Sequence, residues 1–355
     1  MRTLDRIPIF FIVGRPRSGT TLLRALFETN PNVCFPPECQ FIINLYPKYG
    51  NLIKWERRDI ISFICDLQQQ WLFKTWKVDI EQLKENLLGV REEISYGVVC
   101  KLVLMQYKSI FPKEEVLFFG DKNPGYTIYT EQLLKIFPNA KFIHIIRDYR
   151  DHFVSIKNVD FDLPYISLIS CKWRLFIKKY RDVMEKYPDS HTEVRYEDLV
   201  TYPEKEMKIL CNFVGIPFSA EMFNFYLKAD EASKFYPPVL LEKLFSSLFN
   251  KINTDKIGVY KTQLSIRQIK MADVTVGKYA EMMGYRREFT SFNMGIILMS
   301  SPGIILAKTL QYMTKVAAYL PYRVRANVLN KWPLRMARFY LSIFNPNKLK
   351  ELTRE

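Results

Sequence analysis

Ile7-Pro8-Ile9-Phe10-Phe11-Ile12-Val13-Gly14-Arg15-Pro16-Arg17-Ser18-Gly19-Thr20-Thr21 is a short apolar run stopped by glycine and followed by a polar loop. An uninterrupted apolar run of this length predicts a strand buried on both faces of a parallel sheet. Thr20 to Glu28 then places Leu22, Leu23, Leu26 and Phe27 at helical spacing, and Asn30-Pro31 ends the helix. In a strand, loop, helix unit the unpaired N–H groups and the positive helix end gather around the loop, so an anion is expected there. Glycines allow close backbone approach, Ser18, Thr20 and Thr21 offer hydroxyls, and Arg17 offers a forked, permanently charged donor.

The same pattern recurs further along. Ala140 to Ile146 reads as a second buried strand ending at Arg147-Asp148, with a helix expected from about Tyr149 to Asn158. Val116 to Phe119 reads as another strand, with Gly120-Asp121-Lys122-Asn123-Pro124 as the loop after it. Amphipathic helices are expected between Trp55 and Tyr107, and a long one from Leu163 to Tyr187. Strands ending in polar loops and separated by helices predict an α/β fold: a P-loop-like, doubly wound parallel sheet flanked by helices, binding its ligand at the strands' carboxyl ends.

Composition bounds the reading. A chain of 355 residues, 48% hydrophobic and 25% charged, buries enough surface to need no metal or disulfide staple. The six cysteines show no zinc-ligand spacing and read as reduced thiols. Met1 to Arg6 is too short for a signal peptide's charged region and apolar core, so a cytoplasmic protein is expected. The net charge of +15 implies an anionic ligand, nucleic acid or anionic lipid, and its distribution must decide among them.

The loop is close to the nucleoside-triphosphate loop G-x-x-x-x-G-K-[ST], but Thr20 stands where lysine is needed. That counts against a kinase, which must neutralise β- and γ-phosphates with lysine and magnesium. G-x-P-R-S-G-T-T after a buried strand instead resembles the 5'-phosphosulfate loop of the PAPS-dependent sulfotransferase superfamily, in its bacterial and tyrosylprotein-like branches. The resemblance runs from Ile7 to about Tyr285. It implies transfer of a sulfuryl group from 3'-phosphoadenylyl sulfate (PAPS) to an acceptor hydroxyl, with 3',5'-bisphosphoadenosine as product and no metal.

The resemblance also implies site residues. Arg15, Arg17, Ser18, Gly19, Thr20 and Thr21 would hold the phosphosulfate end, while Arg147 and Ser155 match the pair that clasps the 3'-phosphate. Tyr196, in Val194-Arg195-Tyr196-Glu197-Asp198, matches a tyrosine near the nucleotide, although an ordinary core aromatic reads equally well. Lys256-Ile257-Gly258-Val259-Tyr260-Lys261 is similar to the last nucleotide-contacting loop, without the serine of the tyrosylprotein enzymes. Glu38 matches their catalytic glutamate and general base, and Lys122 the lysine that, with Arg17, stabilises the leaving phosphate. The residues alone also allow Glu38 at a helix N-terminus, and Asp121 as a cap beside a solvated Lys122. The histidines are not expected to be the base: His144 lies in a strand, His152 on a helix and His191 in a polar turn.

From Thr290 to Lys350 there is no acidic residue, while Lys308, Lys315, Arg323, Arg325, Lys331, Arg335, Arg338, Lys348 and Lys350 are basic. Residues 1–289 therefore read as the catalytic domain and 290–355 as a basic, apolar helical extension. Gly295, Pro302, Gly303 and Lys308 are expected to interrupt a membrane span. Segments lying on an anionic membrane surface fit the composition, as does packing on the chain's own domain or on a second copy in a homo-oligomer. A membrane-facing tail would put the protein at the inner face of the membrane and make a lipid, sterol or other amphiphilic alcohol a natural acceptor; with internal packing, a glycan, metabolite or peptide tyrosine stays open. The competing functions are a P-loop small-molecule kinase and a non-enzymatic membrane or nucleic-acid adaptor. The adaptor gives Arg17, Arg147, Ser155 and Glu38 no joint purpose, and no nucleic-acid partner is expected.

Overall fold

The computed structural model describes residues 2–90, 92–157, 159, 162–228 and 250–317, together with 324, 339 and 342. The chain forms two compact units, Met1–Ile145 with Val183–Asn253, and Ile146–Asp182 with Thr254–Glu355.

A five-stranded sheet organises the first unit: β1 (Ile9–Gly14), β2 (Val33–Cys34), β3 (Phe118–Lys122), β4 (Lys141–Ile146) and β5 (His191–Arg195), in the order β2-β3-β1-β4-β5. β1 runs parallel to both β3 and β4, and β2 parallel to β3. The central first strand makes its carboxyl end a topological switch point, where open α/β sheets leave a crevice for ligands. Every residue of β1 is buried, as the apolar run predicts. The strand starts at Ile9 instead of Ile7, because Pro8 has no N–H to give; its carbonyl accepts from Phe119 N at 2.9 Å.

Helix α1 (Thr20–Glu28) follows the loop with the predicted bounds. Its Leu22, Leu23, Leu26 and Phe27 join Phe10, Ile12, Ile143, Ile145 and Leu199 in one core cluster. The expected helical wall is formed by Arg57–Gln68, Ile80–Leu88 and Tyr96–Met105.

β3 differs from the reading of the sequence. It runs through Gly120, Asp121 and Lys122, which were expected in a loop, and pairs Asp121 with Phe11 and Lys122 with Ile12. Asp121 is neither a cap nor an exposed group: both side chains are buried and have polar partners, so the ladder continues past the last apolar residue.

In the second unit, helix α2 (Tyr149–Ile156) follows β4, α3 (Ile166–Met184) lies inside the expected 163–187 range, and α4 (Met294–Ala317) runs unbroken. Asn158, the expected end of α2, lies outside the described residues. The expected interruption of α4 does not occur. Pro302 and Gly303 sit within the helix, whose Ser300 and Ser301 hydroxyls donate to the Ile296 and Ile297 carbonyls at 2.8 Å. By length and composition Met294–Thr314 would suffice to cross a bilayer. The basic and aromatic positions Tyr319, Arg323, Arg325, Lys331, Trp332, Arg335, Arg338, Tyr340, Phe344, Lys348 and Lys350 lie outside the described residues.

Gly14, with φ +146°, lies so near β4 that an added Cβ would run into the Ile145 carbonyl oxygen, a backbone atom that has no rotamer to yield. Gly14→Ala should therefore destabilise the fold by about 2–5 kcal/mol; denaturant unfolding checks this, and an unchanged midpoint would show that the strands separate without cost.

Candidate functional site

The loop after β1 is shaped for an anion. Arg17 and Gly19 both take positive φ, 70° and 96°, and Gly19 is the N-cap of α1 with no side chain capping the helix. No acidic residue lies in the first turn, so the helix's positive end faces no built-in counter-charge on α1. Ser18 N donates to Arg15 O at 3.3 Å, and Ser18 and Thr20 are buried. Gly14 N donates to the Thr127 hydroxyl at 2.9 Å, which ties the end of β1 to the segment after β3. A Cβ on Gly19 would lie 2.5 Å from Tyr196 Cδ2, so the Tyr196 ring packs directly on the turn. The loop after β1 and Tyr196 thus share one neighbourhood, and Tyr196 is also part of the core.

Beside this loop, Thr21, Arg24, Pro37, Glu38, Thr75 and Lys122 line a pocket with Leu72. Lys122 Nζ donates to the Glu38 carboxylate and to Thr21 Oγ1 at 3.3 Å. Lys122 is only 3% exposed, and burial holds its pKa below the ordinary lysine value even with Glu38 in contact. Glu38 precedes Gln40, the N-cap of the next helix, and its partner is Lys122 instead of that helix end. Chemically, the pocket offers a carboxylate able to take a proton and a desolvated cation next to it.

The segment that presents Glu38 is held by its carbonyls. Arg24, on α1, donates from Nε to Phe35 O at 3.3 Å and Pro36 O at 3.1 Å, and its guanidinium pairs with Glu28. Trp76 Nε1 donates to Pro37 O at 3.1 Å, and Asn123 Nδ2 to Cys39 O at 3.4 Å. Glu28 is fixed in turn by Tyr107 Oη at 2.6 Å and Ser109 Oγ at 3.0 Å. Reading the sequence missed Arg24, Trp76 and Asn123. An arginine among the apolar residues of α1 was the one visible signal, since a charge at a core-facing position needs a partner.

Asp121 lies next to Lys122 in the strand and is wholly buried. Burial pushes its carboxyl up to about 8, against the hydrogen bond from Asn123 Nδ2 at 2.6 Å. Two of the histidines have other partners. His144 contacts Glu193 at 3.1 Å; His191, expected in a turn, begins β5, stacks on Phe142 and is held neutral-ward by burial.

The second unit carries Arg147 and Ser155. Arg147 follows β4 directly, and its Nη2 donates to Lys256 O at 2.6 Å, while Trp173 Nε1 holds its own carbonyl at 2.9 Å. Ser155 lies on the last turn of α2. Asp151 on α2 accepts from Gly258 N at 2.6 Å and Tyr260 N at 2.9 Å, so one carboxylate shapes the Lys256–Tyr260 turn and brings it to Arg147. Asp151 carried no recognisable signal in the sequence. Among the described residues no group of His, Cys, Asp or Glu is arranged to hold a metal ion.

Residues 8–220 match a family model described as Sulfotransferase family. Protein-tyrosine sulfotransferase 1 of Danio rerio is 30% identical over 220 residues, 60% of this chain and 54% of that protein. The protein-tyrosine sulfotransferase of Drosophila melanogaster is 27% identical over 225 residues, 60% of this chain and 39% of that protein. The chain thus spans about half the length, or less, of these curated relatives. The sulfotransferase domain of the Synechococcus PCC 7002 olefin synthase has the same fold, with a TM-score of 0.54 at 21% identity over 79% of this chain and 95% of that domain.

The buried Asp121 has a consequence for stability. Burial pushes its carboxyl up to about 8, well above the ordinary aspartate range, so the unfolded chain loses this proton first and stability falls as pH rises through that interval. Asp121→Asn lacks this contribution. Its melting temperature relative to the parent should climb from pH 4 to pH 8 and then level off; a difference independent of pH would mean that the carboxyl is ionised in the fold.

Proposed function

Because the chain belongs to the Sulfotransferase family, we propose that it transfers a sulfuryl group from PAPS to an acceptor hydroxyl, with Glu38 as general base. The observation that carries this reading is the Glu38–Lys122 pair in a pocket shared with Thr21, beside a glycine-bounded loop and an uncapped helix start. The residues suit the donor. Backbone N–H groups and the hydroxyls of Ser18, Thr20 and Thr21 fit a phosphosulfate with one negative charge on phosphate and one on sulfate, with Arg15 and Arg17 supplying the balancing charge. Arg147 and Ser155 suit the 3'-phosphate, and the Lys256–Tyr260 turn, held by Asp151, supports Arg147. Tyr196 would pack close to the nucleotide.

In the transfer, Glu38 takes the acceptor's hydroxyl proton as the acceptor oxygen forms its bond to sulfur. The bond between sulfur and the bridging phosphate oxygen breaks, and its electron pair stays on 3',5'-bisphosphoadenosine. Lys122 and Arg17 would stabilise the charge growing on that oxygen. The relatives' names, protein-tyrosine sulfotransferases, favour a peptide tyrosine as acceptor. A lipid or sterol alcohol is a second reading, favoured by the exposed apolar face of α4.

Titration calorimetry with 3',5'-bisphosphoadenosine, set against ATP with magnesium, tests the nucleotide class; preference for ATP would overturn the proposal. Glu38→Gln keeps an oxygen for Lys122 and should leave nucleotide affinity intact while turnover on tyrosine peptides or hydroxyl lipids drops about 10²- to 10⁴-fold. Undiminished turnover removes Glu38 as base. Arg147→Ala should weaken nucleotide binding roughly 10- to 100-fold, the value of a charge-assisted hydrogen bond; parental affinity would separate Arg147 from the nucleotide.

Trp76→Phe keeps an aromatic side chain in the buried site but trims the indole and removes its bond to Pro37 O. It should lower kcat several-fold, by about 1 kcal/mol of lost positioning, without changing KM for PAPS. A change confined to thermal stability would make Trp76 a core residue only.

A further inference from the structure

Helix α4 has two unlike faces. On one, Gly303 approaches α3 so closely that a Cβ would meet Ser167 Oγ and lie 2.6 Å from Leu168 N. Ala307, one turn on, is buried in a cluster with Leu168 and Cys171. Tyr165 Oη donates to Met299 O at 2.6 Å and fastens the helix near this contact. The opposite face has no partner among the described residues: Met294, Leu298, Ile305 and Tyr312 are 64–68% exposed. At about 100° per residue these four positions fall within about 40° of one another. They form a continuous apolar stripe with Val316 at its end and Lys308 exposed along its edge.

We propose that this stripe seats α4 in the interface of an anionic phospholipid bilayer, parallel to the surface. The charge pattern selects that occupant. Between Thr290 and Lys350 the sequence has nine Lys and Arg and no Asp or Glu, so the helix and the chain after it repel a basic surface and attract an acidic one. Basic side chains flanking an exposed apolar face are what an interfacial helix presents to lipid, where apolar burial and attraction to anionic headgroups add. Although α4 is long and apolar enough to cross a bilayer, the Gly303–Ala307 face is committed to α3. One side alone is therefore available to lipid, and the helix lies in the surface. The proposal stands independently of the transfer chemistry.

The test is flotation of the full chain with vesicles of phosphatidylcholine alone and of phosphatidylcholine with phosphatidylglycerol, at low and high salt. A variant carrying Leu298→Gln, Ile305→Gln and Tyr312→Gln is run beside it, its fold checked by circular-dichroism melting. The parent chain should float with the anionic vesicles, and binding should fall by about tenfold or more in the variant, with neutral lipid, or at high salt. Equal flotation of variant and parent, or equal binding to both vesicle types, overturns the proposal. So does resistance to alkaline carbonate, which marks a spanning helix. A lipid-indifferent dimer of the parent that the variant dissolves would assign the stripe to a second copy of the chain and overturn it as well.

Discussion

A lysine ammonium inside a sheet is the constraint on which the first unit's site rests. Removing such an ion from water costs several kcal/mol, and the charge persists only beside a carboxylate with good geometry. Lys122 occupies the last position of β3, in register with Ile12, and its partner is Glu38. The pairing draws the Glu38 segment to the carboxyl ends of β1 and β3, where Thr21 and the glycine-bounded loop also lie. In the proposed transfer the pair does more than hold position. While Glu38 is ionised it offsets most of the lysine's field; once it has taken the acceptor's proton, that charge is uncompensated in a poorly solvated pocket. The cation therefore becomes strongest as negative charge reaches the leaving oxygen, the differential stabilisation that accelerates a reaction.

The parts legible in the sequence were those that local pattern dictates. β1 and α1 follow from an apolar run and a helical repeat, and the loop between them from glycines at fixed offsets. Glu38 and Lys122 were legible only through resemblance, since 84 residues separate them and no local rule brings them together. β3 was misread because Asp121 and Lys122 are polar. Their burial depends on Asn123, two residues along, and on the distant Glu38, pairings that hydropathy does not report. The continuity of α4 through Pro302 was misread for a related reason: a proline removes one backbone bond, while docking of the helix on α3 through Gly303 and Ala307 retains the rest.

Arg24, Trp76 and Asn123 show why such a site needs side chains that no motif includes. Pro36 and Pro37 have no N–H, so the segment before Glu38 cannot enter a helix or a sheet ladder through those positions. Its carbonyls still require donors, because buried backbone oxygens are rarely left without one. Those donors come from an arginine on α1, an indole between the wall helices and an amide just after β3. Each belongs to a different element, so the orientation of Glu38 is set by the packing of the unit and not by its own loop. The Trp76 indole is delivered by a short turn flanked by Leu72 and Lys77, both non-glycine residues at positive φ. Backbone strain of this kind, of order 1–3 kcal/mol for each residue, persists only where the surroundings over-determine the geometry. Leu72 and Thr75 of the same turn also line the pocket. The strained turn therefore couples the wall that an acceptor would touch to the carbonyl beside the proposed base, and changes in that wall should alter turnover as well as acceptor choice.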